Sequence, residues 1–240
     1  MNFDNQTSPA ILSIIPVPGI PEVKSGDDIA SLVCRSIEVE DYDVVVVTQK
    51  IVSKAEGRIE TLNENDNDGF ALLVDREAKR ILRRRGSLTI TETEHGFICA
   101  NAGIDRSNTD MNTVVLLPKD PDRSAYKIRA SIARQCGKEV AVIITDTFGR
   151  AWRNGVTDVA IGISGVGAIL DLRGSHDANG RELVATEVCI ADEIAAAADL
   201  VKPKSSRIPV VIVRGVSRKH FRESSVKDEI VRHPNEDLFR

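Results

Sequence analysis

The sequence predicts an α+β fold in which mixed, multi-stranded sheets are flanked by helices. Three observations carry this expectation. Short β-branched runs such as "DVVVVTQ" and "VAVIITDT" recur along the chain, helical patterns separate some of them, and other runs follow one another with no helix between.

Taken in order, "AILSIIPV" (10–17) reads as a strand that ends in the Pro/Gly turn "PVPGIP". A helix opens at "SGDD" and carries Ile29, Leu32, Val33 and Ile37 on one face. "DVVVVTQ" (43–49) is apolar without interruption, the pattern of a strand covered on both sides. "KIVSKAEG" reads as a short helix ended by Gly57, and "DGFALLVDREAKRILRRRG" (68–86) as one amphipathic helix whose basic last turn suits its dipole. "SLTITETEHGFICANAG" reads as two strands meeting near His95 and Gly96, and "TVVLLP" (113–118) as another strand. A helix follows over "DPDRSAYKIRASIARQCG", with Asp at its start, Pro121 in its first turn and Gly137 at its end. The strand "VAVIITDT" then leads into a loop, "FGRAWRNG", and two further β-like runs, "DVAIGISGV" and "AILDLRG". A long alanine-rich helix is expected over 184–201 and a last strand over "IPVVIVRGV" (208–216). Residues 1–222 are expected to form one domain and 223–240 a charged tail or linker; the order of the strands is not readable.

Composition narrows the functional classes. The 36 acidic residues slightly outnumber the 32 basic ones, which argues against nucleic acid or an anionic membrane as the main partner. The start lacks a basic segment followed by an apolar one, and no apolar run approaches the roughly 20 residues that span a bilayer, so a cytoplasmic protein is expected. Cys34, Cys99, Cys136 and Cys189 are scattered with no CxxC or zinc-type pairing, so buried free thiols are expected.

Two polar bursts interrupt otherwise apolar chain: "NAGIDRSN" (101–108) and "TDTFGR" (145–150). A carboxylate at a strand end is held rigidly while facing a cleft, so Asp105, Asp146 and Thr147 suit a hard cation with oxygen ligands. The rival reading is structural, because Asp and Asn favour turns and "IDRSN" fits an Asx-type turn. In "TQKIVSKAEGR" (48–58), Lys50, Lys54 and Arg58 recur four apart just beyond a buried strand, either to meet a phosphate or as a solvated basic face. No phosphate loop of the GxxxxGK[ST] type and no dinucleotide fingerprint is present. His176, beside Asp177, reads as an exposed loop histidine. Trp152, between Arg150 and Arg153, is expected to pack by cation–π contact, with stacking on a ligand ring as the alternative.

Together "PVPGIP", "TQKIVSKAEGR", "NAGIDRSN", "VIITDTFGRAWRNG", "DVAIGISGV", "GRELVATEVCIADEIAAAADLV" and "PVVIVRG" resemble the coenzyme F420-0:L-glutamate ligases. The likeness covers both the stand-alone archaeal enzymes and the N-terminal domain of the bifunctional mycobacterial-type protein. It runs from about residue 10 to about residue 216. It implies the fold of those γ-glutamyl ligases and an intertwined homodimer with the site near the subunit interface. The activity it implies is a GTP-dependent one: GTP phosphorylates the terminal carboxylate of the deazaflavin precursor F420-0, and L-glutamate attacks the acyl phosphate. Further rounds would build a γ-linked glutamate tail.

The resemblance assigns Mg²⁺ or Mn²⁺ to Asp105, Asp146 and Thr147, and nucleotide contacts to Pro18, Gly19, Ile20, Pro21, Gln49, Lys50, Lys54 and Asn108. It also implies potassium, no protein nucleophile, and a contribution from Arg214 and Gly215. The end "HPNEDLFR" reads like the linker into a nitroreductase-type domain. Preference for GTP over ATP rests on the resemblance alone. Two other classes use the same residues: a metal-dependent phosphatase or hydrolase, and a non-catalytic nucleotide- or F420-binding module.

Overall fold

The computed structural model describes residues 11–62, 66–106, 112–203 and 207–238. In chain order its elements are β1 (Ser13–Pro16), α1 (Ile29–Ser36), β2 (Val44–Thr48), α2 (Gln49–Ala55), β3 (Ile59–Thr61), α3 (Asn67–Glu77) and β4 (Ala78–Arg85). They continue with β5 (Leu88–Thr93), β6 (Ile98–Ala100), β7 (Thr113–Val115), α4 (Pro121–Cys136), β8 (Ala141–Arg150) and β9 (Arg153–Ser164). The last are β10 (Ile169–Asp171), β11 (Glu187–Cys189), α5 (Ile190–Asp199), β12 (Val210–Arg214) and α6 (Val226–Glu229).

Five strands form the central sheet in the order β1-β12-β2-β8-β9. Only β2 and β8 are parallel neighbours, in a register that sets Thr48 opposite Thr145. Parallel pairing needs a long crossover, and both partners are buried, as their unbroken valine and isoleucine runs require. α4 lies across β8 and β9, α1 packs on α4, and α5 covers β9. The start of α4 presses so closely on β9 that a Cβ at Gly162 would lie 2.4 Å from the Pro121 carbonyl, so only glycine fits there. A second, smaller core gathers Leu73, Val74, Ala102, Ile104, Val114 and Leu116 beneath α3. The three-stranded sheet β4-β5-β6 lies beyond it.

The helix ends follow from their residues. Asp28 caps α1 by accepting from the Ala30 amide at 3.1 Å. Asp120 caps α4 by accepting from the Arg123 amide at 2.9 Å, Pro121 fills its first position, and Gly137 ends it at φ 66°. No described helix is long and apolar enough to cross a membrane.

Four expectations are corrected. The helix read over 68–86 stops at Glu77, and its basic second half is strand β4, paired antiparallel with β5. No proline or glycine marks that break; the acidic partners of the arginines do, with Arg84 on Asp75 and Arg80 on Glu92. Sheet pairing here outweighs helix propensity. "FGRAWRNG" is no loop, because β8 and β9 continue through it as a two-stranded ribbon. The helix read over 184–201 begins only at Ile190, since Glu187–Cys189 pairs with β10. Cys34 on α1 and Cys136 at the end of α4 are half-buried and joined as a disulfide, while Cys99 and Cys189 are free. Near the end of the chain Val226 is buried in the main core, and Arg222 holds Glu229 at 2.7 Å.

Candidate active site

The candidate site lies where the pairing of β2 with β8 stops. Thr48 faces Thr145; beyond them β2 gives way to α2 with Gln49 and Lys50, whereas β8 runs on through Asp146 and Thr147 paired with β9 alone. The carboxyl end of a parallel strand pair is the usual place for a ligand in open α/β sheets.

Lys50 brings in the first polar burst, its Nζ lying 2.8 Å from Asp105 Oδ2. Asp105 is fixed in turn by a backbone bridge to Val115. Lys54, one turn along α2, is buried to 8% exposure and pairs with Glu22, the residue after Pro21. That contact sets the turn Pro18–Gly19–Ile20–Pro21 against α2. Pro18, Gly19 and Pro21 are exposed, Ile20 is half-buried, and Gly19 adopts φ 80° with nothing within 4 Å of a Cβ position. Gln49 is buried and accepts from Ser53 Oγ at 2.9 Å. Arg58, the third cation of the run, turns instead to Glu77 at 2.6 Å and to the Leu117 carbonyl.

Asp146 is half-buried and lies near enough to Cys99 to help raise that thiol; burial and the Asp146 charge push Cys99 up to about 12. Thr147 donates its hydroxyl to Asp158 Oδ1 at 2.7 Å. Asp158 is the member the sequence reading passed over. It also accepts from Thr145 at 3.1 Å and pairs with Lys202 at 2.7 Å, and Lys202 reaches Thr145 at 3.2 Å. Burial raises the Asp158 carboxyl, but the Lys202 charge and three hydrogen bonds outweigh it and hold the group below the ordinary carboxylate range. A carboxylate at the head of "DVAIGIS" was the available signal; nothing local pointed to Lys202, 44 positions further on.

Other expected members are placed elsewhere. Arg214 ends β12 beside the start of β2, where it grips Asp43 at 2.8 Å and 2.9 Å. Within one chain this is the opposite end of β2 from Lys50. Gly215 serves the backbone: a Cβ there would lie 2.2 Å from the Ile11 carbonyl oxygen. Asn108 lies outside the described residues. His176 is exposed in a turn closed by Asp177, which accepts from the Asn179 and Arg181 amides. Two surface hollows of about 380 Å³ each border α4 and take in none of the candidate residues.

Among the described residues no three His, Cys, Asp or Glu side chains cluster as a ready-made metal cage. The donor set at the β2/β8 edge is sparser, with two carboxylates, a threonine and two lysines. Such a set has the donor types that suit phosphate and a hard cation together, since such an ion takes one or two carboxylates and completes its shell with phosphate oxygens and water.

Comparison with known proteins gives the chain's family. The family model F420-0:Gamma-glutamyl ligase matches residues 19–215. The coenzyme F420:L-glutamate ligase of Methanothermobacter thermautotrophicus is 41% identical over 249 residues, 95% of this chain and 99% of that protein. The namesake from Methanopyrus kandleri is 41% identical over 95% of this chain and 98% of its own length, and that from Archaeoglobus fulgidus 42% over 95% and 96%. The chain belongs to the F420-0:gamma-glutamyl ligase family.

Proposed function

We propose that this protein is the ligase that joins L-glutamate to the coenzyme F420 precursor F420-0, using GTP and passing through an acyl phosphate. What supports the reading is that the Lys50–Asp105 pair and the residues Asp146 and Thr147 follow the point where the β2–β8 pairing stops, in a chain related over nearly its whole length to proteins named for that reaction.

In this reading the turn 18–21, Gln49, Lys50, Lys54 and Asn108 hold the nucleotide. Lys50 and Lys54 supply phosphate charge as their carboxylate partners, Asp105 and Glu22, give way. Asp105 and Asp146, with Thr147, hold Mg²⁺ or Mn²⁺, which supplies charge neutralisation on the phosphates when bound. Phosphorylation turns the acceptor carboxylate oxygen into a phosphate leaving group. The glutamate α-amine then attacks the carbonyl carbon and phosphate departs, so no protein nucleophile is required. Asp158 keeps Thr147 in place, because its carboxylate takes the threonine hydroxyl while Lys202 fixes it from the other side. We further assign a homodimer and a potassium requirement to the working enzyme.

The test is incubation of the purified protein with GTP, Mg²⁺ or Mn²⁺, F420-0 and L-glutamate, followed by product masses. Gains of whole glutamyl units that vanish without GTP or metal are expected, and omission of potassium should slow them. GTP loss with no gain in mass, and no dependence on glutamate, would replace the ligase with a phosphohydrolase.

A further inference from the structure

Trp152 is the chain's single tryptophan, and it stands at the tip of the β8–β9 ribbon with 89% of its surface in water. The expectation that it packs under an arginine fails: among the described residues the arginine–ring contacts are Arg106 on Phe70 and Arg218 on Tyr42. All residues from Gly149 to Val156 are exposed, so the ribbon projects beyond the body of the protein. It is braced nonetheless. Its strands pair as far as Arg150 opposite Arg153, and Arg150 donates to the Asn154 carbonyl at 2.9 Å.

Two features separate this tip from an ordinary turn. A tryptophan carries some 200 Å² of largely apolar surface, and leaving it in water forgoes the largest burial any side chain can make. Its backbone also sits at φ 64°, a conformation that strains a bulky residue and that glycine would adopt freely.

The position of the ribbon says what it meets. Its base is Asp146 and Thr147, and three residues at about 3.3 Å each put Arg150 some 10 Å further out. In the central sheet β1, which leads into the turn 18–21, forms one edge, and β9 forms the other. A nucleotide held by 18–21 and α2 therefore approaches the β2/β8 edge from one side, and the ribbon overhangs the other. On the reading given above, the second substrate has a terminal carboxylate that must reach Asp146 and Thr147 and a planar deazaflavin ring that must be held away from them.

We propose that Trp152 is the stacking platform for the deazaflavin ring of the acceptor substrate, with the Arg153 guanidinium beside it for the acceptor's negative charge. This rests on the ligase reading and adds the acceptor subsite to it. Stacking is tolerant of ring identity and sensitive to loss of the aromatic face.

Because Trp152 is the only tryptophan, its fluorescence reports this contact alone. Titration with F420-0 in the absence of GTP, with free N-acetyltryptophanamide as the absorption control, should give saturable quenching. Trp152→Ala should raise the KM for F420-0 at least tenfold and leave the KM for GTP unchanged, while Trp152→Phe should stay within about threefold of the native enzyme. An unchanged F420-0 KM in Trp152→Ala overturns the proposal, as does a rise in the GTP KM instead, which would give the tip to the guanine base. Fluorescence that shifts with protein concentration alone would give it to a second copy of the chain and overturn the proposal too. Saturable quenching by F420-0 in a protein that adds no glutamate would keep the stacking site and remove the ligase reading.

Discussion

Lys202 Nζ lies 2.7 Å from Asp158 Oδ2 in a buried pair that no single stretch of the sequence announces. The two groups satisfy one another and the hydroxyls of Thr145 and Thr147, so the middle of β8 is anchored from two positions distant in the chain. Removing one partner of such a pair leaves an uncompensated buried charge and costs about 3–5 kcal/mol. Lys202→Met and Asp158→Asn should each lose on that order by urea unfolding. At about 2–4 °C per kcal/mol for a chain of this length, the melting temperature should fall by roughly 10 °C. The double variant should lose clearly less than the sum. Strict additivity would show that the two residues do not act as a pair.

Glu229 gives a prediction with a sign. Hydrogen bonding from Arg222 holds its carboxyl at about 2, against an ordinary 4.5, and overrides the opposing effect of burial. A depressed carboxyl stabilises the fold fully above its unfolded value and loses that contribution as pH falls towards its folded one. Unfolding free energies of the native protein and Glu229→Gln from urea titrations should therefore differ most near neutral pH, by roughly 2 kcal/mol, and converge between about pH 4.5 and pH 2. A gap that stays constant over that range would rule out the Arg222–Glu229 pair as its source.

The elements legible in the sequence were those whose local signals and tertiary roles agree. β2 and β12 are apolar runs buried in the middle of the sheet, and α4 carries its own start and stop in Asp120, Pro121 and Gly137. β4 was not legible, because "AKRILRRR" continues the helical spacing of α3 and becomes a strand only through β5 and its acidic partners. The ribbon was misread for a related reason: glycines and arginines signal a loop, while the pairing that makes a strand of them lies on the other arm. At the site, Lys50 and Asp105 stood out as polar residues breaking apolar chain. The disulfide did not, since Cys34 and Cys136 are 102 positions apart and meet only because α1 packs on α4.

Thiol chemistry separates the four cysteines. Burial is the main cause that pushes both Cys99 and Cys189 up to about 12, so neither carries appreciable thiolate at neutral pH. The folded, unreduced protein should react slowly with iodoacetamide; two cysteines should become available on unfolding, and four after reduction as well. Reduction should also lower stability by up to about 4–5 kcal/mol, the scale for releasing a loop of this size. Four alkylated cysteines in unfolded, unreduced protein would exclude the Cys34–Cys136 bond.

The contact between Lys50 and Asp105 tests how the site loads. In the free protein each neutralises the other at 2.8 Å, and in the proposed complex they part, the lysine to phosphate and the aspartate to the metal ion. Lys50→Met should then have two opposite effects. Mn²⁺ alone should bind several-fold more tightly than to the native protein, because the Lys50 ammonium no longer competes for the Asp105 carboxylate. GTP with Mn²⁺ should bind at least tenfold more weakly, because a charge-assisted phosphate contact is gone. Melting temperature should move little, since the pair is part-exposed and such pairs contribute about 1 kcal/mol or less. Titration of Mn²⁺ by electron paramagnetic resonance, with and without GTP, reads both affinities in one protein. Equal weakening of the two would mean that Lys50 only orders the site, and unchanged affinities would put nucleotide and metal elsewhere.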